Sequence, residues 1–269
     1  MQYRIIESES NAKYKRWKKL FESARFIKKE GATLAEGAHL IITMKEKGVK
    51  PEALLLREGG VSDEVAEIIE DFANNGVPCY VLANTLYDKI SPVEHGAGIM
   101  AEIKITANEL PIKERCDVLY LDGVQDPGNV GTLIRSAVAA GVSTIAASRE
   151  SASLWSPKAL RAAMGAHFSA RLYENVEPEE LDAAFEAVRL AADARGGSDL
   201  YETADWEKTA TVWMMGAEGP GLSDKALNVA DRRLYIPIES GCESLNVGAA
   251  AAVCLFEQKR RRIALKSLK

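Results

Sequence analysis

Little in this chain invites metal or disulfide chemistry. Four cysteines in 269 residues, Cys79, Cys116, Cys242 and Cys254, lie far apart with no paired spacing. That excludes a zinc motif and a disulfide framework, and leaves reduced, buried thiols as the expectation. Three histidines, His39, His95 and His167, are too scattered for ligand spacing, so no metal is expected. No stretch approaches the roughly 20 apolar residues of a membrane span, and the opening Met-Gln-Tyr-Arg leads into no apolar run. A cytoplasmic protein with no membrane partner is predicted. The glycines form neither a dinucleotide fingerprint nor a phosphate loop. Ser244 sits in Gly-Cys-Glu-Ser-Leu with no histidine after it, which excludes a serine hydrolase with a nucleophile elbow.

What is present is unevenly spread. The net charge is −5, from 34 basic and 39 acidic residues, yet both ends are basic. Residues 11–29 hold Lys13, Lys15, Arg16, Lys18, Lys19, Arg25, Lys28 and Lys29 against Glu22 alone, and residues 258–269 hold six bases and no acid. Phosphate binding works through local potential, screened within about 10 Å, so an acidic body does not forbid an RNA-contacting arm. Lys13, Lys15, Arg16, Lys18 and Lys19, interleaved with Tyr14 and Trp17, read as that arm. The C-terminal run reads equally as a solvated helix face.

Hydrophobic patterning divides the chain near residue 106. Strands are expected near 53–56, 78–82 and 98–105, with helices near 37–47 and 63–75, a small α/β domain over residues 1–106. Residues 107–116 read as a linker. The remainder, 117–269, alternates strands near 117–122, 143–147, 168–172, 211–215 and 233–236 with helices near 129–140, 157–165, 178–194 and 244–262. Such alternation predicts an α/β fold with a mostly parallel sheet.

Three segments carry chemistry. Asp126-Pro-Gly-Asn129 should turn the first strand of the larger domain into a helix, leaving Asn129 near its start and Arg135 about two turns on, at the carboxyl edge of the sheet where α/β proteins bind ligands. The strand Thr211–Met215 runs into Gly216-Ala-Glu-Gly-Pro-Gly, whose glycines permit close backbone approach to a ligand. Ile236-Pro-Ile-Glu-Ser-Gly-Cys-Glu243 then leads into a helix expected to hold Ser244 and Asn246 in its first turn, with Gly248 and four alanines leaving it bare enough for other backbone to pack closely on it.

In this order the three segments resemble the motifs of the SpoU/TrmH family of RNA ribose 2′-O-methyltransferases, within the knotted SPOUT superfamily, over roughly residues 115 to 260. The resemblance implies a deep trefoil knot, S-adenosylmethionine as cofactor and a homodimer with its active site at the two-fold interface. It implies cofactor binding by Gly216, Ala217, Glu218, Ile236, Pro237, Ile238 and Leu245, and catalysis by Arg135, Asn129, Glu218, Ser244 and Asn246. Because a guanidinium gives up a proton reluctantly, Arg135 is read as binding the target phosphate and stabilising the forming alkoxide. One position departs from the family: Gly248 stands where serine usually follows Asn-Val. The N-terminal half is similar to the substrate-binding domain of many members, through Glu7–Lys19 and Gly31–Leu40, and so points to ribosomal RNA. Transfer RNA, or a non-catalytic role as an RNA-binding ribosome-assembly factor, are the alternatives.

Overall fold

The computed structural model describes residues 3–91 and 96–267; His95 and Lys269 lie outside them. The chain forms two compact units, Met1–Ala107 with Trp155–Phe168, and Asn108–Leu154 with Ser169–Lys269.

The first unit contains β1 (Tyr3–Ile6), α1 (Ala12–Glu22), α2 (Ala24–Glu30), β2 (Ala32–Glu36), α3 (Ala38–Glu46), β3 (Ala53–Arg57), α4 (Asp63–Asn74), β4 (Cys79–Leu82), α5 (Asn84–Tyr87) and β5 (Ile99–Lys104). Its sheet runs β1-β4-β3-β5-β2, with β5 antiparallel to both neighbours. β1 and β2 were not expected as strands. β2 is Ala-Thr-Leu-Ala-Glu, poor in the β-branched and aromatic residues that mark strands, but it is buried throughout and packing decides its conformation.

α1 is amphipathic, and its buried face is Tyr14, Trp17 and Leu20. This corrects the reading of the basic arm, because both aromatic rings belong to the core and neither is free to stack on a base. The Trp17 indole N–H donates to buried Glu102 at 2.6 Å. Arg16 is likewise engaged, donating to Glu30 at 3.0 Å and to Glu102. Lys13, Lys15 and Lys19 remain exposed and Lys18 half-buried.

The second unit begins with β6 (Val118–Asp122), α6 (Pro127–Ala140) and β7 (Thr144–Ala147). The chain next supplies α7 (Pro157–Ala162) to the first unit, where Leu160 joins a core with Leu54 and Met44. It returns through β8 (Arg171–Glu174), α8 (Leu181–Ala184), β9 (Val188–Ala192), β10 (Ser198–Asp199), β11 (Thr211–Gly216), α9 (Asp224–Val229), β12 (Arg232–Tyr235) and α10 (Val247–Ser267). The seven-stranded sheet runs β10-β12-β9-β11-β6-β7-β8, every pair parallel.

The helix expected over 178–194 is the main error. Only a short 3₁₀ turn and α8 form there, and β9 lies between β11 and β12. Its sequence, Val-Arg-Leu-Ala-Ala, is rich in helix formers, but both neighbouring strands offer unpaired backbone, and burial of Leu190 and Ala191 overrides propensity.

Candidate functional site

Local sequence places the motif residues as anticipated at the start of α6. The Asp126 carboxylate caps the helix by accepting from the Gly128 N–H, and Pro127 occupies the first helical position, where its missing N–H costs nothing. Asn129 is therefore in the first turn. The third motif differs in detail: α10 begins at Val247, so Ser244 lies in the preceding turn. Asn246 is the cap, its side-chain oxygen accepting from Gly248 N at 2.9 Å and Ala249 N at 3.3 Å. Here Gly248 has a local reason. A Cβ on it would stand 2.9 Å from the Thr132 methyl on α6, so the bare helix start is filled by α6.

Two carboxamides join all three motifs. Asn129 donates through Nδ2 to Glu218 Oε1 and accepts at Oδ1 from Asn246 Nδ2 at 3.1 Å. The glycine-rich turn closes on itself, with Ala217 and Gly221 exchanging backbone hydrogen bonds of 3.1 and 2.9 Å. A Cβ at Gly216 would fall 2.2 Å from the Gly221 carbonyl carbon, a distance no side chain tolerates.

These turns border a cleft of about 560 Å³ at the carboxyl ends of β9, β11 and β12. Of the residues expected at the cofactor, Gly216, Ala217, Glu218, Ile236, Ile238 and Leu245 line it, as do Ser244 and Asn246. Pro237 is exposed and is not among the lining residues. Nor is Arg135, which is exposed on α6 with no hydrogen-bond or ion-pair partner among the described residues. Six residues along a helix is one and two-thirds turns, so Arg135 and Asn129 leave α6 in different directions.

Sequence reading missed the wall contributed by Asp193, Ala194 and Arg195 after β9. The carboxylate of Asp193 accepts from Arg195 Nε at 3.0 Å and from Arg233 at 2.6 Å. Burial alone would raise its pKa, but those arginine hydrogen bonds outweigh burial and hold it below the usual aspartate range. The signal was Asp193-Ala-Arg-Gly-Gly197, a turn sequence straddling the expected end of the supposed helix.

A parallel sheet with a half-apolar cleft at its carboxyl edge, walled by glycine-rich and small-residue turns, defines an α/β protein that binds a nucleotide-like ligand. The chain belongs to the SpoU rRNA Methylase family, whose sequence profile matches residues 117–256; residues 11–101 match an MRM3-like substrate binding domain. Among relatives, the 23S rRNA (guanosine(2553)-2′-O)-methyltransferase RlmP of Bacillus subtilis is 32% identical over 254 residues, 93% of this chain and 97% of the relative. The AdoMet complex of the SpoU methyltransferase AviRb from Streptomyces viridochromogenes has the same fold, at TM-score 0.80 and 24% identity, covering 94% of this chain and 100% of the other. A solved RNA 2′-O ribose methyltransferase superposes with TM-score 0.78 at 26% identity over 96% and 99% of the two chains. The fold is the knotted SPOUT type with a smaller N-terminal α/β domain, and the protein is an S-adenosylmethionine-dependent RNA methyltransferase.

The cleft fits that cofactor. Leu234, Ile236, Ile238, Leu245 and Val247 supply apolar walls for a purine, turn backbone supplies donors and acceptors, and Glu218 and Glu243 give the negative charge a sulfonium favours.

Proposed function

We propose that the protein transfers a methyl group from S-adenosylmethionine to a ribose 2′-hydroxyl of 23S ribosomal RNA. The observation that carries this is the hydrogen-bonded set Glu218–Asn129–Asn246, which brings all three motifs to the edge of one cleft. The ribosomal assignment is supported by similarity extending through both units to a relative that acts on 23S rRNA.

When bound, S-adenosylmethionine supplies a methyl group activated by its sulfonium. The protein supplies position. Ile236, Ile238 and Leu245 hold the adenine, with Pro237 shaping the strand exit, and Gly216 and Ala217 admit it closely. Asn129, fixed by its two partners, and Ser244 orient the ribose. Alignment of this kind supplies up to roughly 7–11 kcal/mol in favourable intramolecular cases, so a site built of positioning groups is sufficient. Arg135, unpaired and exposed, binds the phosphate beside the target ribose and stabilises the alkoxide; the proton passes to phosphate or water. Lys13, Lys15, Lys18 and Lys19 on α1 contact RNA backbone, while Arg16 holds α1 to its own sheet.

The enzyme works as a homodimer in the cytoplasm. Two observations support the dimer: Arg135 does not line the cleft of its own chain, and α10 exposes an apolar stripe, Ala249, Phe256 and Ile263, that a second copy would cover.

The test is transfer of labelled methyl to ribosomal and transfer RNA lacking their own modifications, followed by digestion to nucleosides. A 2′-O-methylnucleoside in the large-subunit RNA is expected. Arg135→Ala should abolish it while leaving cofactor affinity within about twofold. Modification of transfer RNA alone would favour that alternative, and cofactor binding without any transfer would favour an assembly factor.

A further inference from the structure

The turn after β11 holds two glycines at positive φ (Gly219 at 88° and Gly221 at 75°), and such backbone has little intrinsic restraint. It is fastened on one side by Glu218 to Asn129, and at its end by Ser223 N donating to the buried Asp122 carboxylate at 2.6 Å. Its far side is held by a residue outside the three motifs. Arg195 donates through Nη1 to the Pro220 carbonyl at 2.8 Å and through Nη2 to the Leu222 carbonyl at 3.4 Å, while its Nε and backbone N–H both donate to Asp193 Oδ1, at 3.0 and 3.1 Å. Asp193 is in turn clasped by Arg233 of β12. A Cβ on Gly221 would come within 3.2 Å of the Arg195 guanidinium, so the turn and the arginine are packed against each other.

We infer that Arg195 is a positioning residue for the cofactor, setting the shape of the 216–222 turn so that its backbone meets S-adenosylmethionine without further ordering. The inference rests on the cofactor assignment above. Only a planar fork reaches both carbonyls and Asp193 at once; a lysine ammonium reaches one. Loss of the fork frees the turn in the empty protein, and binding must then order it again, so the cost falls on cofactor affinity. The chemical step, once the cleft is filled, is untouched.

The full-length protein, Arg195→Ala and Arg195→Lys are compared by calorimetric titration with S-adenosylmethionine and with S-adenosylhomocysteine, by thermal melting, and by methyl transfer at saturating cofactor. Because the guanidinium is half exposed, the expected loss is moderate: affinity for both ligands falls about five- to tenfold in Arg195→Ala and less in Arg195→Lys. The cofactor KM rises in parallel, and kcat stays within about twofold. Affinity within twofold of wild type in Arg195→Ala overturns the inference, as does a fall in kcat with KM unchanged. A wild-type protein that binds neither ligand overturns the cofactor assignment itself, and this inference with it.

Discussion

Asn129 shows why a carboxamide is required at the meeting of the three motifs. It donates to a carboxylate through its NH2 and accepts from a second carboxamide at its carbonyl oxygen, two functions that a hydroxyl would have to serve from a single atom. Aspartate there would face Glu218 with like charge, and leucine would leave Glu218 and Asn246 each without its partner. Thiol chemistry gives a separate test at this scale. Burial pushes Cys254 up to about 12 and raises Cys79 and Cys116, whereas Cys242 is exposed beside the cleft. A thiolate-directed reagent at pH 8 should therefore modify Cys242 first, seen by mass spectrometry as one rapid adduct on its peptide. Rapid modification of Cys254 in the folded protein would contradict the packing around α10. The side chains that do the proposed chemistry were legible in the sequence because each sits in a short motif with its own spacing. Arg195 was not, since its partners are backbone carbonyls about 25 residues away and carry no sequence signature.

At the scale of the element, α10 explains the basic C-terminal run. Arg262 directs its whole fork inward, to both oxygens of Asp117 and to the Glu207 and Thr209 carbonyls. Arg261 reaches the Leu200, Tyr201 and Thr203 carbonyls and lies 5.0 Å over the Trp206 ring. Gln258, buried, accepts from the Trp213 indole at 2.6 Å and from the Thr211 hydroxyl at 2.8 Å. Arg260, by contrast, is itself exposed and pairs, among the described residues, with Glu257 of its own helix, which Arg261 also holds. Arg262→Ala should cost about 3 kcal/mol, because Asp117 and two carbonyls lose charged donors in a mostly buried setting. Arg260→Ala should cost less than about 1 kcal/mol. Denaturant unfolding of the two variants measures the difference, and equal effects would mean that α10 is not anchored through Arg262. Charge alone could not distinguish these neighbours. The partners lie 53 to 145 residues away, which is also why β9, settled by the strands on either side rather than by its own alanines, was read as helix.

For the whole molecule, the exposed stripe on α10 predicts its assembly. Phe256 is 45% exposed and Ile263 57%, on a helix whose opposite face is fully engaged. Phe256→Glu should convert the proposed dimer to a monomer in sedimentation velocity and abolish methyl transfer, with S-adenosylmethionine affinity reduced by no more than a few-fold; an active monomer would refute assembly through this face. The sequence pattern changes near residue 106, and in the structure one unit runs through Ala107 and the other begins at Asn108. The return of residues 155–168 to the first unit was not visible in the sequence, because Leu160 and Trp155 read locally as one more helix of the larger domain. The contribution of α10 to the cleft has one more consequence, for a chain being made. Asn246, Val247 and Ala250 form one wall, and every other wall is translated earlier. A nascent chain that has not reached α10 holds the strands of the site without this wall, so cofactor affinity is expected to develop only once α10 has been made and docked.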